Sequence, residues 1–417
     1  MGGSGSPVVV AGLFLNGTSV VRRVAELGYD AWAISYDRSE QGWRSRRGQK
    51  VLCPHPTEAF DEWVEFMREL AGRFDQAPAL IPCSDIFVLA LERAAPALAG
   101  VYRFHGFGSG LRAALTSKRT TFELAERHGF PRPKTQFVNN RIELAAFARG
   151  VGGPTLIKPD LPASWRAGEA REVAGGRKVI VGRDVDDILA GYEQIAPYTP
   201  SVLAQEVIPG PDSNLLYWCG FVRGDGVVCG RLIGRKLRVA PIHFGSASFV
   251  QLVDRPDLED LCERFLTTLG YSGLCGIELK EDPRDGVAKL IEVNPRWGLW
   301  DDIGVPVGVD LVGEAVSALF GGSPQPQRPR HFRQKWAAVS WDLPVFFRYR
   351  SEGLITTATW LADYRPPIRI NDLPLLSDFP YALGQIRTLT TKICKELGRR
   401  LGGRGRDHHA VAAREKG

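Results

Sequence analysis

Closely spaced cysteine pairs are absent from this 417-residue chain, although it contains seven cysteines. They are scattered singly along the sequence, at Cys53, Cys83, Cys219, Cys229, Cys262, Cys275 and Cys394. Zinc sites built on CxxC pairs and the disulfide frameworks of small secreted domains both need paired spacings. The sequence therefore indicates neither, and a reducing cytoplasm is the expected environment.

Long apolar runs are also missing, since no stretch reaches the ~18 residues that a membrane-spanning helix needs. The apolar run from Val8 to Leu15 has no basic segment before it and no small-residue cleavage site after it. The composition, with 44% hydrophobic and 24% charged residues, is that of a globular protein. Because the length exceeds what one hydrophobic core normally fills, we expect a soluble protein of several domains with no membrane span.

Acidic residues are scarce at the C-terminus. Residues 392–417 contain eight Lys and Arg against three Asp and Glu, and so carry +5 of the net charge of +6. A basic tail suits nucleic acid or an anionic membrane, but no aromatic residues are interleaved here for base stacking. We expect a solvated helix end and a frayed Gly/Arg tail, without specific nucleic-acid binding.

The N-terminal third has the pattern of a parallel α/β sheet. An apolar run, a helical period and a second apolar run follow one another in "PVVVAGLFLNGTSVVRRVAELGYDAWAIS", which is a β-α-β unit. Further strands are expected at 50–54 and 79–85, with a helix at about 61–74 between them. The glycines do not form GxGxxG, so dinucleotide binding has little support.

A second domain is expected from about Leu111. A helix capped by Thr116 or Ser117 and closed by Gly129 begins it. Strands, two further helices and a hairpin with its turn at 224–226 follow. After Leu319, "GGSPQPQRPR" is a polar linker, and the remainder has the pattern of a small accessory domain or lid.

Two glutamates and an asparagine interrupt the otherwise apolar strands of "GIELKEDPRDGVAKLIEVNPRWG". Strands at 273–280 and 287–293 would form a hairpin, and with a loop at 282–286, Glu278 would face Leu290. Because side chains alternate along a strand, carboxylates and amide then share one face. A slip of the register by one residue would separate Glu278 from the other two.

Like charges on a buried face raise each other's pKa unless a cation joins them. Three oxygen ligands with room for phosphate oxygens suit Mg²⁺, with Glu278, Glu292 and Asn294 as the candidate ligands. The alternative is a hairpin whose glutamates face solvent.

Two lysines favour the metal hypothesis. Lys158 ends the apolar strand "TLIKPD", where a long cation is a poor core residue unless it meets an anion. Lys118 lies in the first turn of a helix, where the helix dipole disfavours a cation and a bound anion would offset that cost. Each alone is more often a surface lysine. Together with a carboxylate metal site they suggest a nucleoside triphosphate.

The order of these motifs resembles the ATP-grasp superfamily of ATP-dependent carboxylate ligases, of the carboxylate-amine type. The matching stretches are "TSKRTTFELAERHGFPRPKT", "TLIKPD", "LAQEVIPGPD", "RKLR" and the carboxylate-bearing hairpin. The resemblance covers roughly residues 1–320. It implies an α/β fold with a Rossmann-like parallel domain at 1–112, an ATP-grasp domain of two α+β subdomains at 113–320, and a linker, accessory region and basic tail at 321–417.

The resemblance also implies residue roles. Lys118 and Lys158 would contact ATP phosphates, and the loop 166–178, with Lys178, would close over them. The backbone of Glu206 and Ile208, or of the residues one position earlier, would meet the adenine edge. The Gln205 side chain would face the adenine amino group, although many relatives have a carboxylate at this position, and Asp212 would accept from the ribose hydroxyls. The implied metal ligands for Mg²⁺, with Mn²⁺ as an alternative, are Glu278, Glu292 and Asn294. The cations implied beside the transferred phosphoryl group are Arg296 and either Lys236 or Arg238.

The implied activity is ADP-forming ligation of a carboxylate to an amine through an acyl phosphate. The implied substrates are small molecules or peptides, and a homodimer is an open expectation. Alternatives are a ligase that uses a thiol or bicarbonate, and a catalytically silent ATP-binding sensor or scaffold. The histidines are unclustered, and His243, beside a Phe-Gly pair, is the one retained as a candidate substrate contact.

Overall fold

Three sheets organise the computed structural model, which describes residues 5–160, 165, 172–173 and 178–403, with side chains up to Cys394. The expected α/β fold, with a parallel sheet at the N-terminus and antiparallel sheets after it, is confirmed. No helix in the described part is both long and apolar enough to cross a bilayer.

The first sheet is parallel and has the order β3-β2-β1-β4. Its strands are β1 (Pro7–Ala11), β2 (Asp30–Ser35), β3 (Gln49–Leu52) and β4 (Ala79–Pro82), and its helices are α1 (Leu15–Glu26), α2 (Phe60–Ala71) and α3 (Asp85–Leu98). Every residue of β1 is buried, as its continuous apolar run predicts for a central parallel strand. Since β2 and β4 lie on opposite sides of β1, the crevice at which such sheets bind ligands opens at the carboxyl ends of β1 and β4.

The second sheet is antiparallel, with the order β5-β8-β6-β7. Its strands are β5 (Thr135–Val138), β6 (Thr155–Lys158), β7 (Ile180–Gly182) and β8 (Val202–Glu206), and the helices on it are α6 (Arg141–Val151) and α7 (Val185–Ile195). Two helices precede it, α4 (Leu111–Thr116) and α5 (Lys118–Arg127). The Ser117 side chain accepts a hydrogen bond from the Thr120 N–H, so Ser117 is the cap of α5.

The third sheet has seven strands in the order β13-β12-β9-β10-β11-β14-β15. They are β9 (Leu215–Val222), β10 (Val228–Ala240), β11 (Ser246–Leu252), β12 (Gly273–Glu281), β13 (Ala288–Asn294), β14 (Lys335–Ala337) and β15 (Ile368–Ile370). Helices α8 (Pro256–Thr268) and α9 (Leu311–Leu319) accompany it. The predicted turn at 224–226 is confirmed: Gly226 has φ 84°, and the Arg223 N–H donates to the Val227 carbonyl at 2.8 Å.

The C-terminal region continues this sheet. Strands β14 and β15 extend it beyond β11, and α10 (Val339–Ser351) packs on β10 and β11. The last two helices are α11 (Thr357–Asp363) and α12 (Phe379–Gly403), so the basic tail is helical as far as Gly403. The division of the chain at residues 112 and 320 stays a prediction.

A buried carboxylate connects the C-terminal region to the sheet. Asp342 of α10 is fully buried and accepts hydrogen bonds from Arg238 Nε at 2.8 Å, Ser248 Oγ at 3.0 Å, Trp360 Nε1 at 2.8 Å and Tyr364 OH at 2.9 Å. A charge this far from water is stabilised only by such donors, and removing it leaves a buried cation without its main partner.

We therefore expect Asp342→Ala to lower the free energy of unfolding by about 3–5 kcal/mol, measured by denaturant titration. The matched control is Asp225→Ala, because Asp225 forms an exposed ion pair with Arg223 in a turn. Exposed pairs contribute little. Equal shifts of the unfolding midpoint in the two variants would contradict a structural role for Asp342.

Candidate active site

Two glutamates face each other across the hairpin of β12 and β13. Glu278 is the direct partner of Glu292, and Gly276 is the partner of Asn294. Residues directly opposite in an antiparallel pair have their side chains on the same face. The two carboxylates and the Asn294 amide therefore share one face of the hairpin, as the sequence predicts.

The predicted register itself is wrong, because Glu278 does not face Leu290. The Asp282 N–H donates to the Val287 carbonyl at 2.9 Å, so the loop between them has four residues rather than the predicted five, and the pairing shifts by one residue. An irregularity between Glu278 and Leu279 then shifts the pairing by a second residue. Two shifts of one residue restore the original alternation, so the shared face survives.

Lys236 lies against this acidic pair. Its ammonium is 2.6 Å from Glu278 Oε2 and 5.6 Å from the centre of the Tyr217 ring, on the intervening strand β9. Only 3% of Lys236 is exposed. Of the two alternatives for a strand cation, Lys236 is the one that the structure brings to the carboxylates.

Arg238, the other alternative, is held elsewhere. Its guanidinium pairs with Asp342 and with Asp363, both in the C-terminal region. The register of β10 and β11 shifts on both sides of Arg238, which separates its direction from that of Lys236.

Lys158 is buried at the end of β6. Its ammonium donates to Gln205 Oε1 at 3.1 Å and lies 5.4 Å from the Phe122 ring centre. Burial lowers the pKa of Lys158 to about 7, the charge of Lys118 acts in the same direction, and Glu292 and Glu278 oppose the shift. Lys118, Glu278 and Glu292 thus all lie within electrostatic reach of Lys158.

Lys118 and Lys178 lie on surrounding segments. The Lys118 ammonium donates to the Asp160 carbonyl at 3.2 Å. That of Lys178 donates to Ser246 Oγ at 3.1 Å, at the start of β11. Apart from Glu172, Val173 and Lys178, the predicted closing loop at 166–178 lies outside the described residues.

Arg296 joins the hairpin to the N-terminal sheet. Its Nε lies 2.5 Å from Asp85 Oδ1 at the start of α3, and its terminal nitrogen donates to Asn294 Oδ1 at 3.1 Å. Burial acts against the guanidinium charge, but the interactions with Asp85 outweigh it, and the pKa of Arg296 is raised. Asp85 was missed by the sequence analysis, since its partner is 211 residues away.

The end of β8 holds the predicted adenine contacts. Gln205 is buried between Lys158 and Thr135, whose hydroxyl accepts from Gln205 Nε2 at 3.1 Å. Glu206 accepts from the Lys134 N–H at 2.8 Å and pairs with Arg284 at 3.0 Å. Both side chains therefore already have partners within the protein.

The backbone beyond β8 is arranged by a lysine that the sequence analysis also missed. Lys280 donates to the carbonyls of Ile208 at 2.8 Å and Gly210 at 3.1 Å. Burial lowers the pKa of Lys280, and Asp212 partly offsets this shift. The Glu206 N–H already donates to the Lys134 carbonyl at 3.0 Å. The contacts of Gln205, Glu206 and Ile208 with the adenine stay a prediction.

The chemistry of the hairpin donors fits a hard cation. No group of three His, Cys, Asp or Glu side chains is arranged to hold a metal in the described part of the chain, but the predicted set has only two carboxylates, with an amide oxygen as the third ligand. Mg²⁺ is commonly held by one or two carboxylates together with substrate phosphates. The ligands Glu278, Glu292 and Asn294 are compatible with that pattern.

Comparison with known proteins gives the fold. No family model matches the chain. A D-aspartate ligase from Enterococcus faecium is 25% identical over 229 residues, which are 52% of this chain and 53% of that protein. The match therefore spans about half the length of this curated relative.

Solved structures match over more of the chain. An N5-carboxyaminoimidazole ribonucleotide synthetase with ADP superposes with a TM-score of 0.61 at 13% identity, over 78% of this chain and 79% of that one. A carboxyaminoimidazole ribonucleotide synthase from Aspergillus clavatus with ATP gives 0.59 at 16% identity, over 79% and 80%. These are ATP-grasp proteins. The chain has the ATP-grasp fold.

A third ATP-grasp neighbour was solved with several ligands. It is the biotin carboxylase domain dimer of the Hydrogenobacter thermophilus 2-oxoglutarate carboxylase, in complex with ADP, its magnesium salt and bicarbonate. Its TM-score is 0.57 at 17% identity, over 79% of this chain and 71% of that one.

The lowered pKa of Lys158 predicts how the free energy of unfolding changes with pH. Because this pKa is about 7 in the folded protein against an ordinary 10.5, the unfolded chain binds more protons between these two values. Lys158 therefore makes the free energy of unfolding rise with pH between about 7 and 10.5, by roughly 1.4 kcal/mol per unit of pKa difference. We expect Lys158→Met to lose this rise and to be more stable than the unsubstituted protein below pH 7.

Denaturant titrations across that pH range measure the effect. Lys134→Met is the matched control, since Lys134 is an exposed lysine directly before β5, a strand of the same sheet. It should follow the pH dependence of the unsubstituted protein. If the free energy of unfolding changed with pH in the same way in Lys158→Met and in the unsubstituted protein, burial would not lower the pKa of Lys158.

Proposed function

We propose that this protein is an ATP-dependent ligase that activates a carboxylate as an acyl phosphate and joins it to an amine, releasing ADP and phosphate. The observation that carries the proposal is the direct pairing of Glu278 with Glu292, surrounded by Lys158, Lys236 and Arg296. A face with two carboxylates and several buried cations is suited to a polyphosphate and its metal ion. The ATP-grasp fold supports the same interpretation.

The proposed reaction has two displacements. A carboxylate oxygen of the substrate attacks the γ-phosphorus of ATP, and the bond from that phosphorus to the β,γ-bridging oxygen breaks, leaving ADP. The amine nitrogen then attacks the acyl carbon, loses a proton, and expels phosphate, which keeps one oxygen of the original carboxylate. This route needs positioning and charge neutralisation rather than a protein nucleophile.

The side chains divide this task between them. Lys158 and Lys118 hold ATP phosphates, and Lys236 and Arg296 neutralise charge on the phosphoryl group as it transfers. Glu278, Glu292 and Asn294 would hold Mg²⁺, which when bound neutralises phosphate charge and orients the phosphate oxygens. Lys236 and Arg296 contact Glu278 and Asn294, so their charges already lie at the face where the phosphates would bind.

The substrates are proposed from the relatives. The D-aspartate ligase supports an amino acid as the carboxylate substrate, with a small molecule or peptide as the amine. The neighbour solved with bicarbonate favours bicarbonate as a second candidate acid. A silent nucleotide sensor is disfavoured because it would not need both hairpin carboxylates and the buried cations around them.

Glu292→Gln tests the metal site. The change removes one anionic ligand while keeping the size of the side chain, so we expect magnesium-dependent ADP release to fall by about 10²-fold or more. The control is Glu281→Gln, a glutamate of the same hairpin that pairs instead with Arg235 and Arg255. Unaltered turnover and metal dependence in Glu292→Gln would remove Glu292 from the site.

The order of the chemistry is tested by omitting the amine. With ATP, Mg²⁺ and the right acid, an acyl phosphate should form, because the cations act on the phosphoryl group without help from the nucleophile. Hydroxylamine should intercept it as a hydroxamate, and oxygen-18 from the carboxylate should appear in the released phosphate. Label in AMP instead would mean an adenylate intermediate and would overturn the proposed mechanism.

A further inference from the structure

The carboxylate of Asp212 is held by two elements that are distant in sequence. Its Oδ2 accepts a hydrogen bond from the His243 N–H at 3.0 Å and another from the Tyr349 hydroxyl at 2.5 Å. His243 lies in the loop between β10 and β11, whereas Tyr349 lies in α10 of the C-terminal region. Only 6% of Asp212 is exposed, so these partners determine how its carboxylate is oriented.

The Tyr349 hydroxyl can donate in only one direction. It accepts a hydrogen bond from the Val239 N–H at 3.0 Å, so its single proton is directed to Asp212. Burial raises the pKa of Tyr349, and the hydrogen bond to Asp212 adds to the shift. The hydroxyl therefore stays protonated and acts as a fixed donor at ordinary pH.

This arrangement leaves the second oxygen of the carboxylate for a ligand. Oδ1 has no closer partner among the described contacts than His243 Nδ1, at 3.5 Å, which is long for a hydrogen bond. The His243 imidazole is half exposed, and its other nitrogen lies 3.4 Å from a carboxylate oxygen of Glu352, the residue that follows α10. The backbone of His243 has φ 70°, a conformation that few non-glycine residues adopt and that recurs at ligand-binding sites.

Asp212 also lies beside the proposed nucleotide site. Lys280, whose ammonium holds the carbonyls of Ile208 and Gly210, is within electrostatic reach of Asp212. A carboxylate there is an acceptor for vicinal hydroxyl groups, which ATP carries on its ribose.

We propose that Tyr349 is a positioning residue for ribose recognition: it fixes Oδ2 of Asp212 so that Oδ1 accepts from a ribose hydroxyl of the nucleotide. The C-terminal region thereby becomes part of the nucleotide site. This inference rests on the proposed function, since it requires a nucleotide beside Asp212. It assigns a role in nucleotide specificity to α10, which follows the stretch, roughly residues 1–320, whose sequence resembles the ATP-grasp superfamily.

The test compares the dissociation constants of ATP and of 2′,3′-dideoxy-ATP, both with Mg²⁺, by calorimetry on the full chain. Hydrogen bonds to charged groups are among the stronger ones, so we expect the unsubstituted protein to prefer ATP by about tenfold or more. In Tyr349→Phe this ratio should fall to about threefold or less, because the carboxylate loses its fixed orientation. The affinity for the dideoxy nucleotide should change little, which a general loss of structure would not produce.

Tyr364→Phe is the matched control. Its hydroxyl also donates to a buried carboxylate of the C-terminal region, that of Asp342, but it does not contact Asp212. This variant should keep the full preference for ATP. Asp212→Asn should lose the preference, and adding Tyr349→Phe to it should cause no further loss, since both act through one carboxylate.

The binding measurements test separately whether a nucleotide binds, whether Asp212 recognises the ribose and whether Tyr349 positions Asp212. If the unsubstituted protein binds neither nucleotide, both the proposed function and this inference fail. If it binds both equally, Asp212 does not recognise the ribose, the inference fails and the ligase proposal stands. If ATP is preferred and Tyr349→Phe keeps that preference while folding normally, Tyr349 has no positioning role.

Discussion

The site depends on placing two carboxylates directly opposite each other on a partly buried strand face. Glu278 and Glu292 repel each other there, and water cannot screen them fully. Their surroundings supply positive charge. Lys236 forms an ion pair with Glu278, and the charge of Glu292 stabilises the protonated forms of Lys158 and Arg296. Removing any one of these cations leaves the pair less well neutralised, so the arrangement is a single electrostatic unit. A metal ion with nucleotide phosphates would satisfy the same requirement, with the cations redistributed between carboxylates and phosphates.

The need for positive charge beside the acidic pair explains why three separate parts of the chain meet at the hairpin. Lys158 comes from the second sheet, Lys236 from the third, and Arg296 is oriented by Asp85 at the start of α3 in the N-terminal domain. Asn16, in the first turn of α1, donates to the carbonyls of Cys83 and Trp297, so the carboxyl ends of β1 and β4 lie close to Arg296. This end of a parallel sheet is where ligands bind in α/β proteins, which places the N-terminal crevice next to Arg296, one of the residues proposed to act in phosphoryl transfer.

The sequence predicted this face for a reason that tolerates local error. Alternation along a strand depends only on whether the register shift is odd or even. The wrong pairing of Glu278 with Leu290 therefore still gave the right shared face, because the loop and the irregularity each shifted the pairing by one residue. The contacts from Arg296 to Asp85 and from Lys280 to Ile208 and Gly210 could not be predicted, because they join residues far apart in sequence. Helix and strand periods carry no information on such contacts, whereas the ordered motifs predicted the ATP-grasp fold.

Arg238 illustrates how the C-terminal region contacts the strand that carries Lys236. In a regular strand, Lys236 and Arg238 would point to the same face, and the sequence left both as candidate cations. The irregular register of β10 separates them, and Asp342 and Asp363 then hold Arg238 in the C-terminal region. One residue further on, the Val239 N–H donates to Tyr349, which donates to Asp212. Within the four residues from Lys236 to Val239, strand β10 therefore contacts both the acidic pair and Tyr349 of α10. A displacement of α10 would move the Tyr349 hydroxyl away from the Asp212 carboxylate.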